Sequence, residues 1–377
     1  MVGRQVKYNN SNKDLDMKKI FYYIIPAVMI MFTACDTDIE NIGYQSPPPD
    51  VDYAALREYK ASDHEIMFGW FGNWNGGGAS ASTSLRSVPD SVDMVSAWGS
   101  WDQLTDKMKE DMKYVQEVKG TKVLACMFTP KVGKYLTPEG ETAESYWGWD
   151  ATDQEKQNEA MRKYSEALVK EVLDLGYDGI DMDNEPEDNN VYGNQRLTTI
   201  FVETVGKYMG PASGTGNIFA IDGYFWSTSQ GMNSANFKYV DYFISQAYYG
   251  SGYSGLDDRF SNYTGFWKNG VDPNSEKGMS DEEIYKELAR KFIVTEDFER
   301  HSNDGGNEWT LRPIDGVARP KTRACLGHAD WKPYYNSQPM QKGGAGLYHI
   351  ENDYVNSAYE YYWTRQMVQI MNPVAGN

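Results

Sequence analysis

The sequence predicts an α/β protein with a single (β/α)8 TIM barrel, and three observations lead to this fold class. Short apolar runs alternate with longer helical stretches over most of the 377 residues, which is typical of a parallel α/β fold. There are eight such runs, the number of strands that closes a barrel of this kind. One run also ends in a group of acidic residues, as expected where a barrel carries its catalytic groups.

The individual elements follow from composition and from the residues that interrupt the apolar runs. The predicted strands cover residues 66–71, 91–98, 122–128, 177–183, 217–222, 242–248, 292–296 and 345–350. The predicted helices cover residues 101–118, 153–175, 195–209, 281–291 and 355–371. Because the carboxyl ends of the strands form one face of a barrel, the residues just after each strand are expected to line the site.

The fourth strand carries the most informative stretch, Asp-Gly-Ile-Asp-Met-Asp-Asn-Glu at residues 178–185. Side chains alternate between the two faces of a strand, so Asp181, Asp183 and Glu185 share one face. Pro186 lacks a backbone N–H and ends the strand just after these acids. Carboxylates this close disfavour simultaneous ionisation, so at least one pKa should rise, as a general acid requires near neutral pH.

A calcium loop and a solvated acidic edge are the alternatives to a catalytic site here. A calcium loop that began at Asp181 would need Gly at its sixth position and Glu at its twelfth, where this chain has Pro186 and Tyr192. The interleaved Ile180 and Met182 are typical of a buried parallel strand and not of a solvated edge. The pattern therefore favours catalysis.

The spacing Asp-Gly-x-Asp-x-Asp-x-Glu also resembles the signature of glycoside hydrolase family 18, and Asp178, Asp181, Asp183 and Glu185 fill its four acidic positions. The resemblance implies a retaining reaction in which the 2-acetamido group of the substrate is the nucleophile. Glu185 would protonate the glycosidic oxygen and Asp183 would orient the acetamide. Asp181 would stabilise Asp183, and Asp178 is expected to be architectural because it faces the other way.

Aromatic and amide side chains near the ends of several other strands are the candidate substrate-binding residues. Trp98, Tyr224 and Tyr348 are concentrated at strand ends, which favours a sugar-binding cleft over packing alone. Gln246 and Tyr248 are two positions apart and face the same way. This Gln-x-Tyr pair resembles the endo-β-N-acetylglucosaminidase branch of the family, which implies that both hold the acetamide oxygen. His349 and Glu351 are candidate polar groups of the cleft, although a structural role is favoured for His349.

The resemblance implies an endo-β-N-acetylglucosaminidase that cuts the β-1,4 bond in the N,N'-diacetylchitobiose core of N-glycans. The third strand lacks the Ser-x-Gly-Gly of many chitinases, and no inserted α+β domain is evident before the eighth strand, so an open cleft is expected. A chitinase that acts on chitin oligomers and a non-catalytic surface glycan-binding protein remain alternatives. The expected partner is an N-glycan or another N-acetylglucosamine-containing glycan, and no cofactor or metal is expected.

The N-terminal residues are typical of a targeting segment. Lys18 and Lys19 precede an apolar run at residues 20–32 that ends before Cys35, which resembles a bacterial lipoprotein signal. We therefore expect a start at Met17, a signal region at 1–35, a tether at 36–60 and a barrel at 61–377. Lipidation of Cys35 and the acidic residues after it predict attachment to the outer membrane, at the cell surface. A plain secretory signal is the alternative.

Composition restricts the partners further. The net charge of −18 and the sequence pI near 4.7 argue against nucleic acid, because phosphate binding requires basic patches. Only four His are present, and no Cys–His spacing suggests a metal site. Cys126 and Cys325 are the cysteines that follow Cys35, and the sequence leaves open whether they pair.

Overall fold

The protein is described by a computed structural model for residues 51–78, 80–99, 101–186, 191–273 and 277–373. Eight parallel strands form a closed barrel in which each strand pairs with its neighbours in the chain and the last pairs with the first. This confirms the predicted fold class. The strands are β1 Ile66–Phe71, β2 Met94–Ala97, β3 Lys122–Phe128, β4 Gly179–Asn184, β5 Ile218–Gly223, β6 Tyr242–Gln246, β7 Phe292–Asp297 and β8 Gly344–Tyr348.

Helices surround the barrel. They are α1 Tyr53–Lys60, α2 Asp106–Tyr114, α3 Gln154–Asp174, α4 Gln195–Val205, α5 Tyr253–Val271, α6 Asp281–Arg290, α7 Phe298–His301, α8 Ala324–Asp330 and α9 Tyr362–Met371. α3 and α6 begin at side-chain caps, Asp153 and Ser280, that accept hydrogen bonds from the first helical N–H groups. A π-helical turn, Val115–Lys119, continues α2.

Two hydrophobic clusters show how the layers pack. A small one fills the inside of the barrel with residues such as Phe68, Trp70 and Leu124. A much larger one lies between the strands and the helices and includes Ile180 and Met182 of β4. The sheet is therefore covered on its outer face and packed on its inner face, as expected for a TIM barrel.

All the predicted strands are present, and their ends differ by a few residues. Some of the observed helices, however, were not predicted. The largest is α5, whose apolar residues recur every three or four positions but whose three Gly lower its helix propensity. The predicted helix at 355–371 is shorter, because Ile350–Val355 forms a 3₁₀ turn and the helix begins only at Tyr362. The connection between β7 and β8 contains α7, α8 and two short hairpins.

Residues 53–60, which the sequence analysis placed in the tether, form helix α1. Asp52 caps this helix by accepting hydrogen bonds from the N–H groups of Ala54 and Ala55. Lys60 Nζ donates to the carbonyl of Val92, 2.6 Å away, so the helix is held against the barrel by a half-buried amino group. The predicted signal region, Met17 and Cys35 lie outside the described residues. None of the described helices is long and apolar enough to span a membrane.

Candidate active site

The acids of β4 lie at the carboxyl end of the barrel. Asp181 and Asp183 are buried and point into the barrel, whereas Ile180 and Met182 pack against the surrounding helices. Asp178 faces outward and accepts hydrogen bonds from Gln116 Nε2 at 2.8 Å and Lys122 Nζ at 3.0 Å. The alternation predicted for this strand is therefore confirmed, including the architectural contacts of Asp178.

Asp181 is held by side chains from the two strands that begin the barrel. Trp70 Nε1 of β1 donates to Asp181 Oδ2 at 2.9 Å, and Ser96 Oγ of β2 donates to the same oxygen at 2.7 Å. Burial raises the pKa of Asp181, while these donors oppose that rise because they stabilise the carboxylate. Asp181 is thus fixed in position well below the mouth of the barrel.

Glu185 follows the last residue of β4 and is half-buried at the rim. Its position depends on Asn184, which faces away from the barrel interior and binds the neighbouring loops. Asn184 Nδ2 donates to the carbonyls of Tyr224 and Gln230, and Thr129 Oγ1 donates to Asn184 Oδ1 at 2.8 Å. These bonds connect the segment before Glu185 to the loops after β3 and β5.

Three of the predicted substrate-binding aromatics form one wall of the cleft. The ring of Tyr348 lies 5.6 Å from that of Trp98 and 5.9 Å from that of Tyr248, measured between centroids. Trp70 supports Tyr348 from below at 6.1 Å. The contacts of Trp98 and Trp70 with Tyr348 are edge-to-face, whereas Tyr248 meets it at a tilt of 32°. Together they hold the ring of Tyr348 in a fixed orientation, as a sugar-binding surface requires.

Tyr224 lies apart from this aromatic wall. It directly follows β5, with 45% of its surface exposed, and its ring is 6.5 Å from that of Tyr192. The preceding Gly223 is close to Glu185, since a Cβ at Gly223 would lie 3.1 Å from Glu185 Cγ. The backbone of Tyr224 therefore lies next to the segment that carries Glu185.

Gln246 and Tyr248 are the residues that the sixth strand and its end contribute to the site. This strand was predicted to reach Tyr248, but β6 ends at Gln246. Gln246 Nε2 donates to Asp222 Oδ1 of β5 at 2.8 Å. Burial is the largest cause that raises the pKa of Tyr248 well above its ordinary value, and the charge of nearby Asp183 adds to the rise. The phenol is therefore neutral across the physiological range and available as a hydrogen-bond donor.

Asp222 is the main functional candidate that the sequence analysis missed. It is fully buried inside the barrel and lies beside Asp183 in the β4–β5 register. The signal was available, because Asp222 is two positions from Ala220 and so shares the inward face of β5. The same alternation would have placed Trp70 of β1 inside the barrel.

Cys126, Asp181 and Asp222 are the described residues that bring a thiol and two carboxylates within 4.8 Å of one another. A divalent cation fits this set poorly. Burial raises the pKa of the Cys126 thiol well above its ordinary value, which disfavours the thiolate that a metal would need. Asp181 Oδ2 already accepts hydrogen bonds from Trp70 and Ser96. Cys126 and Cys325 are both buried free thiols, which resolves the pairing that the sequence left open.

His349 and Glu351 form a pair behind the cleft. His349 Nδ1 lies 2.6 Å from Glu351 Oε1, and the imidazole packs against Tyr348 with 4.4 Å between ring centroids. Burial lowers the pKa of His349, but the hydrogen bond and charge of Glu351 outweigh this effect and leave the pKa raised. The pair supports Tyr348, in agreement with the structural role expected for His349.

Comparison with known proteins identifies relatives over most of the chain. A family model described as glycoside hydrolase family 18, BT1044-like, matches residues 36–370. The chain is 26% identical over 346 residues to endo-beta-N-acetylglucosaminidase F2 of Elizabethkingia meningoseptica, and the match covers 86% of each protein.

Solved structures show the same architecture. A structure of a BT1044 variant superposes with a TM-score of 0.67 at 30% identity, over 85% of this chain and 92% of that one. The apo endo-beta-N-acetylglucosaminidase of Cordyceps militaris superposes with a TM-score of 0.55 at 22% identity, over 85% and 95% of the two chains. The second likeness concerns the fold alone.

Proposed function

Because this chain belongs to glycoside hydrolase family 18, we propose that it is an endo-β-N-acetylglucosaminidase. The bond cleaved is the β-1,4 linkage in the N,N'-diacetylchitobiose core of N-glycans. The relative from Elizabethkingia meningoseptica carries that activity in its name, which supports the choice of substrate class. Membership of the family already makes the protein a glycoside hydrolase, so the reaction and its substrate are what we propose.

One observation carries the proposal: the arrangement of polar groups around the end of β4. Glu185 lies half-buried at the rim, with Asp183 buried beneath it. Gln246 and the neutral phenol of Tyr248 approach from the sixth strand. Tyr248 lies close enough to Asp183 for the charge of that residue to raise its pKa. An acid at the rim and donors deeper in the cleft match a substrate whose own acetamide is the nucleophile.

In the proposed mechanism, the carboxylic acid of Glu185 donates its proton to the glycosidic oxygen. The acetamide oxygen of the substrate attacks the anomeric carbon, the glycosidic bond breaks, and an oxazolinium intermediate forms. Asp183 orients the acetamide, with Asp181 behind it, and Gln246 and Tyr248 donate hydrogen bonds to the acetamide oxygen. Glu185 then removes a proton from the water that opens the ring, so the configuration is retained.

The aromatic residues divide between the two sides of the scissile bond. Trp98, Tyr348 and Tyr248 form the wall beside Asp183, where the sugar that carries the reacting acetamide would stack. Tyr224 lies on the Glu185 side, where it would contact the leaving sugar. Tyr and Trp faces suit sugar rings because they offer apolar area with little loss of side-chain entropy.

A direct test uses Glu185→Gln, which keeps the size of the side chain and removes the acidic proton. We expect release of glycans from a high-mannose and a complex-type glycoprotein to fall by about 10²- to 10⁴-fold, the usual contribution of a general acid. Mass spectrometry should find a single N-acetylglucosamine left on Asn after treatment with the wild-type protein. Full activity of the variant would refute the mechanism.

The same assay separates the alternatives. A protein that leaves both glycoproteins unchanged but cleaves chitin oligomers would be a chitinase. Binding of glycans without any cleavage by the wild-type protein would indicate a surface glycan-binding protein.

We also propose that Cys35 is lipidated and anchors the enzyme to the outer membrane, at the cell surface. The supporting observation is the run of Lys18, Lys19, apolar residues and Cys35 in the sequence. Cys35→Ala is expected to release the protein from the membrane fraction and to abolish incorporation of labelled fatty acid. Membrane attachment that survives this substitution would contradict the proposal.

A further inference from the structure

Asp222 places a third carboxyl group inside the barrel, beside the two acids of β4. Its side chain is fully buried, and it is the direct neighbour of Asp183 in the pairing of β4 with β5. A carboxyl oxygen of Asp222 lies within 4.8 Å of one of Asp181. On its other side, Asp222 Oδ1 accepts a hydrogen bond from Gln246 Nε2 at 2.8 Å. Asp222 therefore lies between Asp181 and the sixth strand.

A hydrogen bond between two carboxyl groups requires that one of them carry a proton. Asp181 Oδ2 already accepts bonds from Trp70 Nε1, which can only donate, and from Ser96 Oγ. Two such donors stabilise an ionised Asp181. Asp181 Oδ1 and Asp222 Oδ2 are both buried and, among the described residues, neither accepts a hydrogen bond from a donor. A single proton on Asp222 satisfies both oxygens.

We propose that Asp222 is a positioning residue that is held as a neutral carboxylic acid and links Asp181 to Gln246. The role in catalysis rests on the proposed function, whereas the location of the proton does not. As a neutral acid, Asp222 donates to Asp181 through its O–H and accepts from Gln246 through its carbonyl oxygen. This fixes the amide of Gln246, whose second N–H is left to bind the acetamide oxygen of the substrate alongside Tyr248.

The titratable groups that surround Asp222 favour the neutral form. Asp181 and Asp183 face it from β4, Cys126 lies on β3, and Tyr248 follows β6. Burial, followed by the charges of Asp183 and Asp181, raises the pKa of Asp222 well above its ordinary value. Burial also raises the pKa values of Cys126 and Tyr248. A proton on Asp222 thus removes one negative charge from a cluster that has little access to water.

The first experiment compares Asp222→Asn with Asp222→Leu in glycan-release kinetics. Asn imitates the neutral acid, because its N–H can donate to Asp181 and its carbonyl can accept from Gln246. We expect Asp222→Asn to stay within a few-fold of the wild-type kcat/KM, with both limbs of the pH profile unmoved. Asp222→Leu leaves Asp181 and Gln246 without this partner, so we expect a loss of about a hundredfold.

Asp241→Asn provides a matched control, since Asp241 precedes β6 and is bonded to the N–H of Phe219, remote from the cleft. It should leave kcat/KM unchanged. If Asp222 were ionised in the wild type, Asp222→Asn would remove a negative charge beside Asp183 and move both limbs to lower pH. Such a shift, or a loss as large as that of the Leu variant, would overturn the proposal.

An activity-independent measurement locates the proton even if the protein cleaves no glycan or the Leu variant fails to fold. The infrared difference spectrum of wild type minus Asp222→Asn near neutral pH should contain the C=O stretch of a protonated carboxylic acid, and this band should shift in D₂O. Carboxylate bands in its place would show that Asp222 is ionised and would refute the inference.

Discussion

Tyr248 and Tyr348 have neighbouring rings, 5.9 Å apart, but different surroundings. Tyr248 lies among polar groups, and burial, with the charge of nearby Asp183, raises its pKa well above its ordinary value. Tyr348 contacts other aromatic rings, and burial is the main cause that raises its pKa to about 12. The hydroxyl of Tyr248 therefore belongs to the polar part of the site, whereas the ring of Tyr348 belongs to the aromatic wall.

Substitution with Phe at each position separates these roles. We expect Tyr248→Phe to lower kcat of glycan release by about 10- to 100-fold, because the hydrogen bond that positions the acetamide oxygen for attack is lost. Tyr348→Phe keeps the ring and is expected to change kcat by no more than a few-fold. Steady-state kinetics on one glycoprotein substrate measures both variants. Equal losses in the two would contradict the division of roles.

The residues of the site differ in how far the sequence could predict them. Asp181 and Asp183 were predictable because strand alternation, once the strand is identified, decides which side chains face inward. Asp222 was open to the same reasoning but lies alone in an apolar run, so nothing marked it as functional. The contacts of Gln246 with Asp222 and of Trp70 with Asp181 join different strands, and such pairings depend on barrel register.

At the scale of elements, the end of β5 is shaped around Glu185. Gly223 has a φ of 82°, and a Cβ there would lie 3.0 Å from the carbonyl oxygen of Asn184 and 3.1 Å from Glu185 Cγ. These contacts are tight, so any side chain at this position would press on the segment that carries the acid. The absence of a side chain at Gly223 thus serves the placement of Glu185.

Gly223→Ala is expected to reduce both stability and activity. The positive φ costs about 1 kcal/mol in free energy of unfolding for a residue with a Cβ. Displacement of Glu185 is expected to lower kcat by at least about tenfold, since small misplacements of catalytic groups are costly. Urea denaturation and glycan-release kinetics measure the two effects.

Gly148→Ala is the control for backbone strain. Gly148 has a φ of 79°, but a Cβ there would meet no atom within 4 Å. This variant should therefore show a similar loss of stability without a loss of activity. If both variants kept full activity, Gly223 would have no part in placing the acid.

The strands and helix α5 differ in how well the sequence predicts them. Strands were predictable because short apolar runs between polar segments mark buried parallel strands. Helix α5 was not, because Gly255, Gly265 and Gly270 interrupt it and lower its helix propensity. It forms because Leu256, Phe260 and Trp267 share one face that is buried against the barrel, and this packing outweighs the low propensity of the Gly residues.

For the whole molecule, the buried acids make stability depend on pH in an unusual direction. Burial raises the pKa of Glu296 from an ordinary 4.5 to about 7, and that of Asp241 from 3.8 to about 6. A raised folded-state pKa means that the folded protein binds more protons than the unfolded chain within that window. The stabilising contribution is therefore complete below the unfolded pKa and is lost as pH rises through the folded pKa.

Glu296 offers the cleanest test of this dependence. Its Oε1 accepts the N–H groups of Asp297 at 2.9 Å and Tyr249 at 3.3 Å, bonds that a Gln carbonyl can also accept. We expect the wild-type free energy of unfolding to fall between about pH 4.5 and 7, with Glu296 contributing on the order of 3 kcal/mol to the fall. Glu296→Gln cannot ionise, so it should lose that part of the dependence and be more stable than the wild type at pH 8.

Urea denaturation of both proteins at pH 4.5 and pH 8 measures the difference. Glu299→Gln is the control, because Glu299 is a nearby residue of the same type that is exposed to solvent. The control should follow the wild type at both pH values. A parallel pH dependence for Glu296→Gln and the wild type would show that Glu296 is ionised in the folded protein at neutral pH. In that case the buried carboxylate would need a compensating charge or water beside Gly306, where its Oε2 lies.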